Sequence, residues 1–302
     1  MKKKILLSIA IIVGMWISGQ AQERYIFSQH FVNPVLINPG ATGFGDAHNF
    51  LFNYRNKWAS FPGAPNTYAF SYDGIVADKV GLGGFVMKDE FGALESLKGQ
   101  LSYAYHLMGE NYKVGLGFTT EYIQYRAKGA LSGPVGFDRN DPLIADRQEG
   151  DRFFDLALGA HGMISERILF DVVFPGLVRT KLSDGAQSLK EEKSFNYILG
   201  VGYQYKVENY DLTVTPSIFV KQLRNVPLHI EGNLLLSFYD GQLSGGLSYA
   251  YGAEDRFGAL LGTGINNFNF YYSYNVSFQP FQTYSNGSHE LTIGYRIPVK
   301  SK

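Results

Sequence analysis

The sequence predicts an all-β protein: a transmembrane antiparallel up-and-down β-barrel of about fourteen strands, with an N-terminal plug-like segment. Three observations predict it. The chain starts with a secretory leader, its later segments alternate apolar and polar residues, and tight turns alternate with longer connections. Lys2, Lys3 and Lys4 precede an apolar stretch from Ile5 to Ile17 and a small-x-small end, Gly19-Gln20-Ala21. That is a signal peptide, cleaved after Ala21. The stretch is too short to favour a membrane-spanning helix, and no comparable apolar run follows. The chain has no Cys, hence no lipidation site and no disulfide.

Alternation is plainest near the C-terminus. Phe268, Phe270, Tyr272, Tyr274 and Val276 share one face of a strand, and Asn269, Tyr271, Ser273 and Asn275 the other. Leu291, Ile293, Tyr295, Ile297 and Val299 alternate in the same way with Glu290, Thr292, Gly294, Arg296 and Pro298. A soluble β-sandwich also alternates. The aromatic outward face, and a core too large for one sandwich, favour a wall that meets outer-membrane lipid. The 35 Gly, 21 Tyr and 23 Phe suit curved strands with interfacial aromatic girdles. A formal net charge of zero argues against nucleic acid as a partner.

The predicted strands centre near Leu51, Ala69, Gly84, Leu101, Leu116, Leu156, Val172, Leu199, Val214, Leu234, Leu247, Leu260, Tyr272 and Gly294. Those at Gly84, Val172 and Leu260 are the least regular, so twelve or sixteen strands stay open. Every second connection is tight: Ala77-Asp78-Lys79, Gly109-Glu110-Asn111, Ser165-Glu166-Arg167, Glu208-Asn209-Tyr210, Asp240-Gly241 and Asn266-Asn267. The others are mostly longer, notably Lys128–Gly150, Arg179–Lys193 and Gln279–Gly287. Short periplasmic turns and longer external loops are the outer-membrane pattern, with both termini periplasmic. The organisation is therefore residues 1–21 signal peptide, 22–47 plug or periplasmic segment, and 48–302 barrel. The plug segment carries Asn33-Pro34 and Asn38-Pro39, which favour turns. Its apolar residues Tyr25, Ile26, Phe27, Phe31, Val32, Val35, Leu36 and Ile37 need burial, at the periplasmic mouth or inside the lumen.

One motif is specific. Phe27-Ser28-Gln29, Asn33-Pro34 and Ile37-Asn38-Pro39-Gly40-Ala41-Thr42-Gly43 resemble the opening of the PorP/SprF family. Tyr54-Arg55-Asn56-Lys57-Trp58, Phe61-Pro62-Gly63-Ala64-Pro65, Thr67-Tyr68 and Ser71-Tyr72-Asp73 resemble its continuation. The chain departs at Gly40 and Lys57, where the family has Ala and Gln. The resemblance implies an outer-membrane protein of the Bacteroidetes type IX secretion system, tied in gliding species to export of a large surface adhesin. It also implies partners: ring components of that machine, and a substrate with a C-terminal secretion signal. The motif residues Phe27, Ser28, Gln29, Asn33, Pro34, Asn38, Pro39, Gly43, Tyr54, Arg55, Asn56, Trp58, Pro62, Gly63, Tyr68, Ser71, Tyr72 and Asp73 are the candidate binding set.

Several constellations have two readings. With aromatics outward, Asn49, Asn53 and Arg55 face the lumen from the first strand, and Ala69, Ser71 and Asp73 from the second. Arg55 and Asp73 could then pair, as a docking ion pair or as part of a structural network filling the lumen, since an unpaired buried charge is costly. The two Asn-Pro steps either shape a displaceable plug or form Asx-type turns that hold it. Trp58, Phe61, Pro62 and Pro65 either contact a surface partner or belong to an outer girdle and rigid loop. His106 and His229 fall on polar strand faces and read as lumen residues. Asp138, Asp141, Asp146, Glu149 and Asp151 lack EF-hand spacing and read as a solvated loop. Neither a Gly-x-Ser-x-Gly nor a His-Glu-x-x-His motif occurs, and no cofactor or metal is expected. A non-enzymatic secretion component is thus the leading reading, with a porin or substrate-specific channel second and a barrel hydrolase third.

Overall fold

A computed structural model of the chain describes residues 27–127, 150–182, 195–223, 226–252, 254–278 and 283–299. The expected signal peptide, Tyr25, Ile26 and most of the loop between Lys128 and Gly150, with Asp138, Asp141, Asp146 and Glu149, lie outside the described residues. The strands are β1 (Ala47–Asn56), β2 (Asn66–Ala77), β3 (Val80–Phe91), β4 (Leu94–Met108), β5 (Tyr112–Ala127), β6 (Asp151–Ile164), β7 (Ile168–Phe174), β8 (Thr180–Lys181), β9 (Tyr197–Tyr203), β10 (Tyr205–Val207), β11 (Leu212–Gln222), β12 (His229–Phe238), β13 (Leu243–Tyr251), β14 (Arg256–Ile265), β15 (Phe268–Ser277) and β16 (Ser288–Pro298). They make fourteen staves. The two residues of β8 continue the line of β7 along β6, and β9 and β10 are one stave interrupted at Gln204.

Every neighbouring pair is antiparallel, and the ring closes where β1 pairs with β16, from Ala47 opposite Pro298 to Asn56 opposite His289. β9 joins β7 to β11 on the far side. Each predicted strand centre falls on a stave, and all six tight turns lie where the turn residues put them. Gly92-Ala93, between β3 and β4, is a two-residue exception among the outer connections. β1 begins and β16 ends at the tight-turn mouth.

Alternation sorts the side chains as expected. Leu101 is 70% exposed, Leu261 68% and Phe70 52%, whereas Ser71, Ser273, Asn275 and Thr292 are buried inside the ring. This is inverted relative to a soluble protein, because lipid covers the outside. The lumen is not uniformly polar. Val173, Ile198, Phe219 and Leu223 form one buried apolar cluster, against which Phe31 and Ile37 pack. Ala69 and Met87 form a second with Phe27. The plug's own apolar residues thus find matching patches inside the wall.

A charge on the outer face must be dragged into hydrocarbon. Leu101→Arg, midway along β4, should cost about 2–4 kcal/mol in denaturant unfolding from lipid vesicles. A cost near zero would place that surface outside the bilayer.

Candidate functional site

Residues 27–46 thread the lumen with three short 3-10 turns, Ser28–Phe31, Pro34–Leu36 and Pro39–Ala41. The two Asn-Pro steps start the second and third turns, where Pro's fixed φ suits the first position. Asn38 caps its turn by accepting from Gly40 N at 2.9 Å, whereas the Asn33 side chain makes no such bond. From Ala47 at the tight-turn mouth the segment climbs along the inner wall. Gly43 and Thr42 lie against β2, β3 and β4, and Gly40 and Asn38 against β5, β6 and β7. Phe31 and Ile37 meet β7, β9 and β11, Ser28 and Gln29 meet β15 and β16, and Phe27 meets β2 and β3. The segment makes one circuit of the interior as it rises.

Its lower part sits in a socket of backbone. A Cβ on Gly81 would fall onto Thr42 O, one on Gly115 onto Gly40 O, and one on Gly117 onto Pro39 O. Reciprocally, a Cβ on Gly40 would stand 2.5 Å from Gly115 O and 2.6 Å from His161 N. Gly43 has φ +68°, a left-handed conformation that glycine adopts freely. Polar contacts lock the socket. Gly43 N donates to Asp73 Oδ2 (3.1 Å), His106 Nε2 to Thr42 O (2.9 Å), and Asn38 Nδ2 to Asp171 Oδ1 (2.7 Å) and Ala160 O (2.9 Å). His161 Nδ1 donates to the same Asp171 oxygen at 2.9 Å, and Lys113 Nζ clamps Phe44 O and Asp46 Oδ1 at the base.

The upper part is held by side chains of the wall. Ser28 donates to Glu290 Oε2 through both N (2.9 Å) and Oγ (2.6 Å). Gln29 Nε2 donates to Ser273 Oγ and Glu290 O. Asn275 Nδ2 donates to Ser28 Oγ, while its Oδ1 accepts from Arg256 Nη1 at 2.7 Å. Glu231, completely buried, receives Lys221 at 2.8 Å, Arg256 at 3.1 Å and His229 at 3.4 Å on one oxygen. Lys221 Nζ also donates to His30 Nε2 at 3.2 Å, and His30 Nδ1 donates to Phe27 O, so both imidazole nitrogens are used by the neutral ring. The network leaves the plug at His30 and returns to it at Ser28. Hydrogen bonds to charged groups contribute about 1.5–3 kcal/mol each, so Glu290 is a principal anchor.

The motif residues do not converge on one site. Phe27, Ser28, Gln29, Asn38, Pro39 and Gly43 form the plug with Asn33 and Pro34, and Asn49, Asn53, Arg55, Ala69, Ser71 and Asp73 face it from the wall, as expected. Tyr54, Asn56, Tyr68 and Tyr72 lie on the outer face, where Tyr54 and Tyr68 pack at 5.1 Å and Asn56 bonds Asn66. Trp58, Pro62 and Gly63 lie in the first outer connection, which is pinned to its neighbours through Ala59–Gly287 and Gly63–Gly92 hydrogen bonds. The expected Arg55–Asp73 pair does not form. The hairpin register sets Asp73 opposite Asn49, whereas Arg55 faces Thr67 and, at 3.9 Å, Glu290. Six residues of strand separate them, roughly 20 Å. Lys57 bridges to Glu254 at 2.9 Å across the outer mouth. His106 and His229 are buried in the lumen, and Asp151 pairs with Lys181. Among the described residues no group of three or more His, Asp or Glu side chains could hold a metal ion.

Comparison with known families gives one decisive match: the model described as type IX secretion system membrane protein PorP/SprF covers residues 19–295. The chain belongs to the PorP/SprF family. Among solved structures, the CymD monoaromatic hydrocarbon channel is similar at TM-score 0.54 and 13% identity, covering 91% of this chain and 94% of that one. A TodX deltaS2S3 mutant monoaromatic hydrocarbon channel follows at TM-score 0.50 and 12% identity, covering 91% and 95%. At such identity these likenesses speak for the barrel alone. No curated protein matches the chain. A closed barrel with a lipid-facing belt, in a family of secretion membrane proteins, places this PorP/SprF protein in the outer membrane.

Sequence reasoning missed Lys221, Glu231, Arg256, Glu290 and Asp171, although alternation alone marks each as lumen-facing. It also missed the socket glycines, which look like the glycines any curved strand carries. The socket gives Gly40 a physical reason: a methyl there strikes the backbone of β5 and β6. Gly40→Ala should therefore destabilise the barrel by about 1–3 kcal/mol. Equal thermal unfolding of variant and parent in detergent would show that the socket yields.

Proposed function

We propose that the barrel is a non-enzymatic binding component of the type IX secretion and gliding machinery. The tight turns of the inner mouth meet periplasmic ring components. The lumen and outer loops engage a secreted or surface-displayed protein, such as an adhesin with a C-terminal secretion signal. Family membership supplies the machine. The observation that carries the rest is the occupied lumen: Ser28, Gln29, His30, Asn38 and Thr42 are at most 2% exposed inside the ring, tied to it by charged and backbone bonds. A plug built this way suits a barrel whose interior is used for recognition rather than for free passage of solutes. In this reading a partner's tail competes for the donors and acceptors that now hold the plug.

Tagged protein purified from outer membranes in mild detergent should carry with it ring components or a very large secreted protein, identified by mass spectrometry. Recovery of the barrel alone, with steady conductance in planar bilayers, would replace this reading with that of a porin.

A further inference from the structure

The two ends of the plug are attached in physically different ways. Between Asn38 and Gly43 the plug backbone lies on the wall backbone, with glycine facing glycine, and the wall atoms there cannot rotate away. This part is also joined directly to β1 at Ala47. Between Phe27 and Phe31 no described wall glycine meets the plug backbone, and the polar contacts run to side chains of Glu290, Ser273, Asn275 and Lys221, plus Glu290 O. Such groups can turn toward water or a new partner once the plug withdraws. Residues 31–37, which join the two parts, are only half-buried throughout.

The outer lane also holds more hydrogen-bonding capacity than the plug uses. On the wall, Asn53 Oδ1, Glu231 Oε1 and both polar atoms of Asn233 are buried there without a partner. The inner socket leaves Thr42 Oγ1 and His106 Nδ1 in the same state, but its carboxylates, Asp73 and Asp171, are occupied by Gly43 and Asn38. The unused atoms of the lane are mostly acceptors, which backbone N–H groups would satisfy.

We propose that the plug opens by halves: Phe27–Phe31 leaves the outer lumen while Asn38–Gly43 stays socketed, and the uncovered lane binds an extended peptide segment of the partner. The segment resembles the one it replaces, with hydroxyl and carboxamide side chains flanked by aromatic residues that fill the apolar patches of Phe27 and Phe31. The lane is lined by Lys221, Glu231, Arg256, Ser273, Asn275 and Glu290. This rests on the lumen being a partner site and adds which part moves and what takes its place.

The chain has no natural cysteine, so single substitutions report without background. Ser28→Cys and Thr42→Cys, nearly isosteric, are placed one at a time in the full-length protein in detergent and exposed to a maleimide. The Ser28→Cys thiol should react on the order of tenfold faster than Thr42→Cys, since local opening reaches only the outer half. Gln29→Cys, on the same turn, serves if Ser28→Cys does not assemble. A synthetic peptide of residues 27–33 should raise the Ser28→Cys rate several-fold, and a scrambled peptide should not. Equal rates at Ser28 and Thr42 would mean that the plug leaves as a whole, and no reaction at either that it is fixed; each overturns opening by halves. A peptide without effect overturns the lane as a peptide site. Because the purified barrel is used alone, these results stand apart from whether machine components co-purify.

Discussion

Closure of the ring by β1 against β16 is the constraint from which the rest follows. Hydrocarbon offers no hydrogen bond to a bare strand edge, so a sheet can cross it only as a cylinder whose backbone pairs entirely with itself. A cylinder has two faces with opposite solvents. Period-two alternation then sends Leu101, Leu261 and Phe70 to the lipid and Ser71, Ser273 and Glu290 to the interior. The interior collects charge that no lipid can solvate.

The plug is the answer to that interior, and its chemistry is local. Where the wall presents glycines, the plug presents backbone and an Asn-Pro-Gly turn; where it presents Glu290 and Lys221, the plug presents Ser28 and His30. Where it presents Val173, Phe219 and Met87, the plug presents Phe31, Ile37 and Phe27. No single one of these matches sets the register of the segment. Their succession around a full circuit makes the fit specific, because sliding the segment by one residue would put Phe31 against charge and Ser28 against the apolar patch.

How far this could be read from the chain depends on the range of the interaction. Alternation is set by strand geometry within a few residues, so the inward positions of Asn53, Ser71, His106 and His229 were legible, as was the turn at Asn38. Pair partners depend on register and on which strands are neighbours. Arg55 and Asp73 were rightly placed in the lumen, but hairpin register sets them far apart, and Glu290, distant in sequence, takes the place beside Arg55. Nothing in the sequence around Gly115 or Gly117 announces that another stretch of backbone lies against it. The path of the plug decides that, and the path is a property of the closed ring.

The seam also sets an order of assembly. β1 and β16 are the strands most distant in sequence, and a contact of that range forms only after the intervening loop entropy has been met. The inner socket belongs to β2–β7 and is complete once the first half of the chain has paired. Glu290, the anchor of Ser28, arrives with the final strand. The plug can therefore be held at its base throughout construction, yet its outer end is seated only when the last strand zips to the first. Seating of Ser28 thus marks the moment at which an open, leaky sheet has become a finished cylinder.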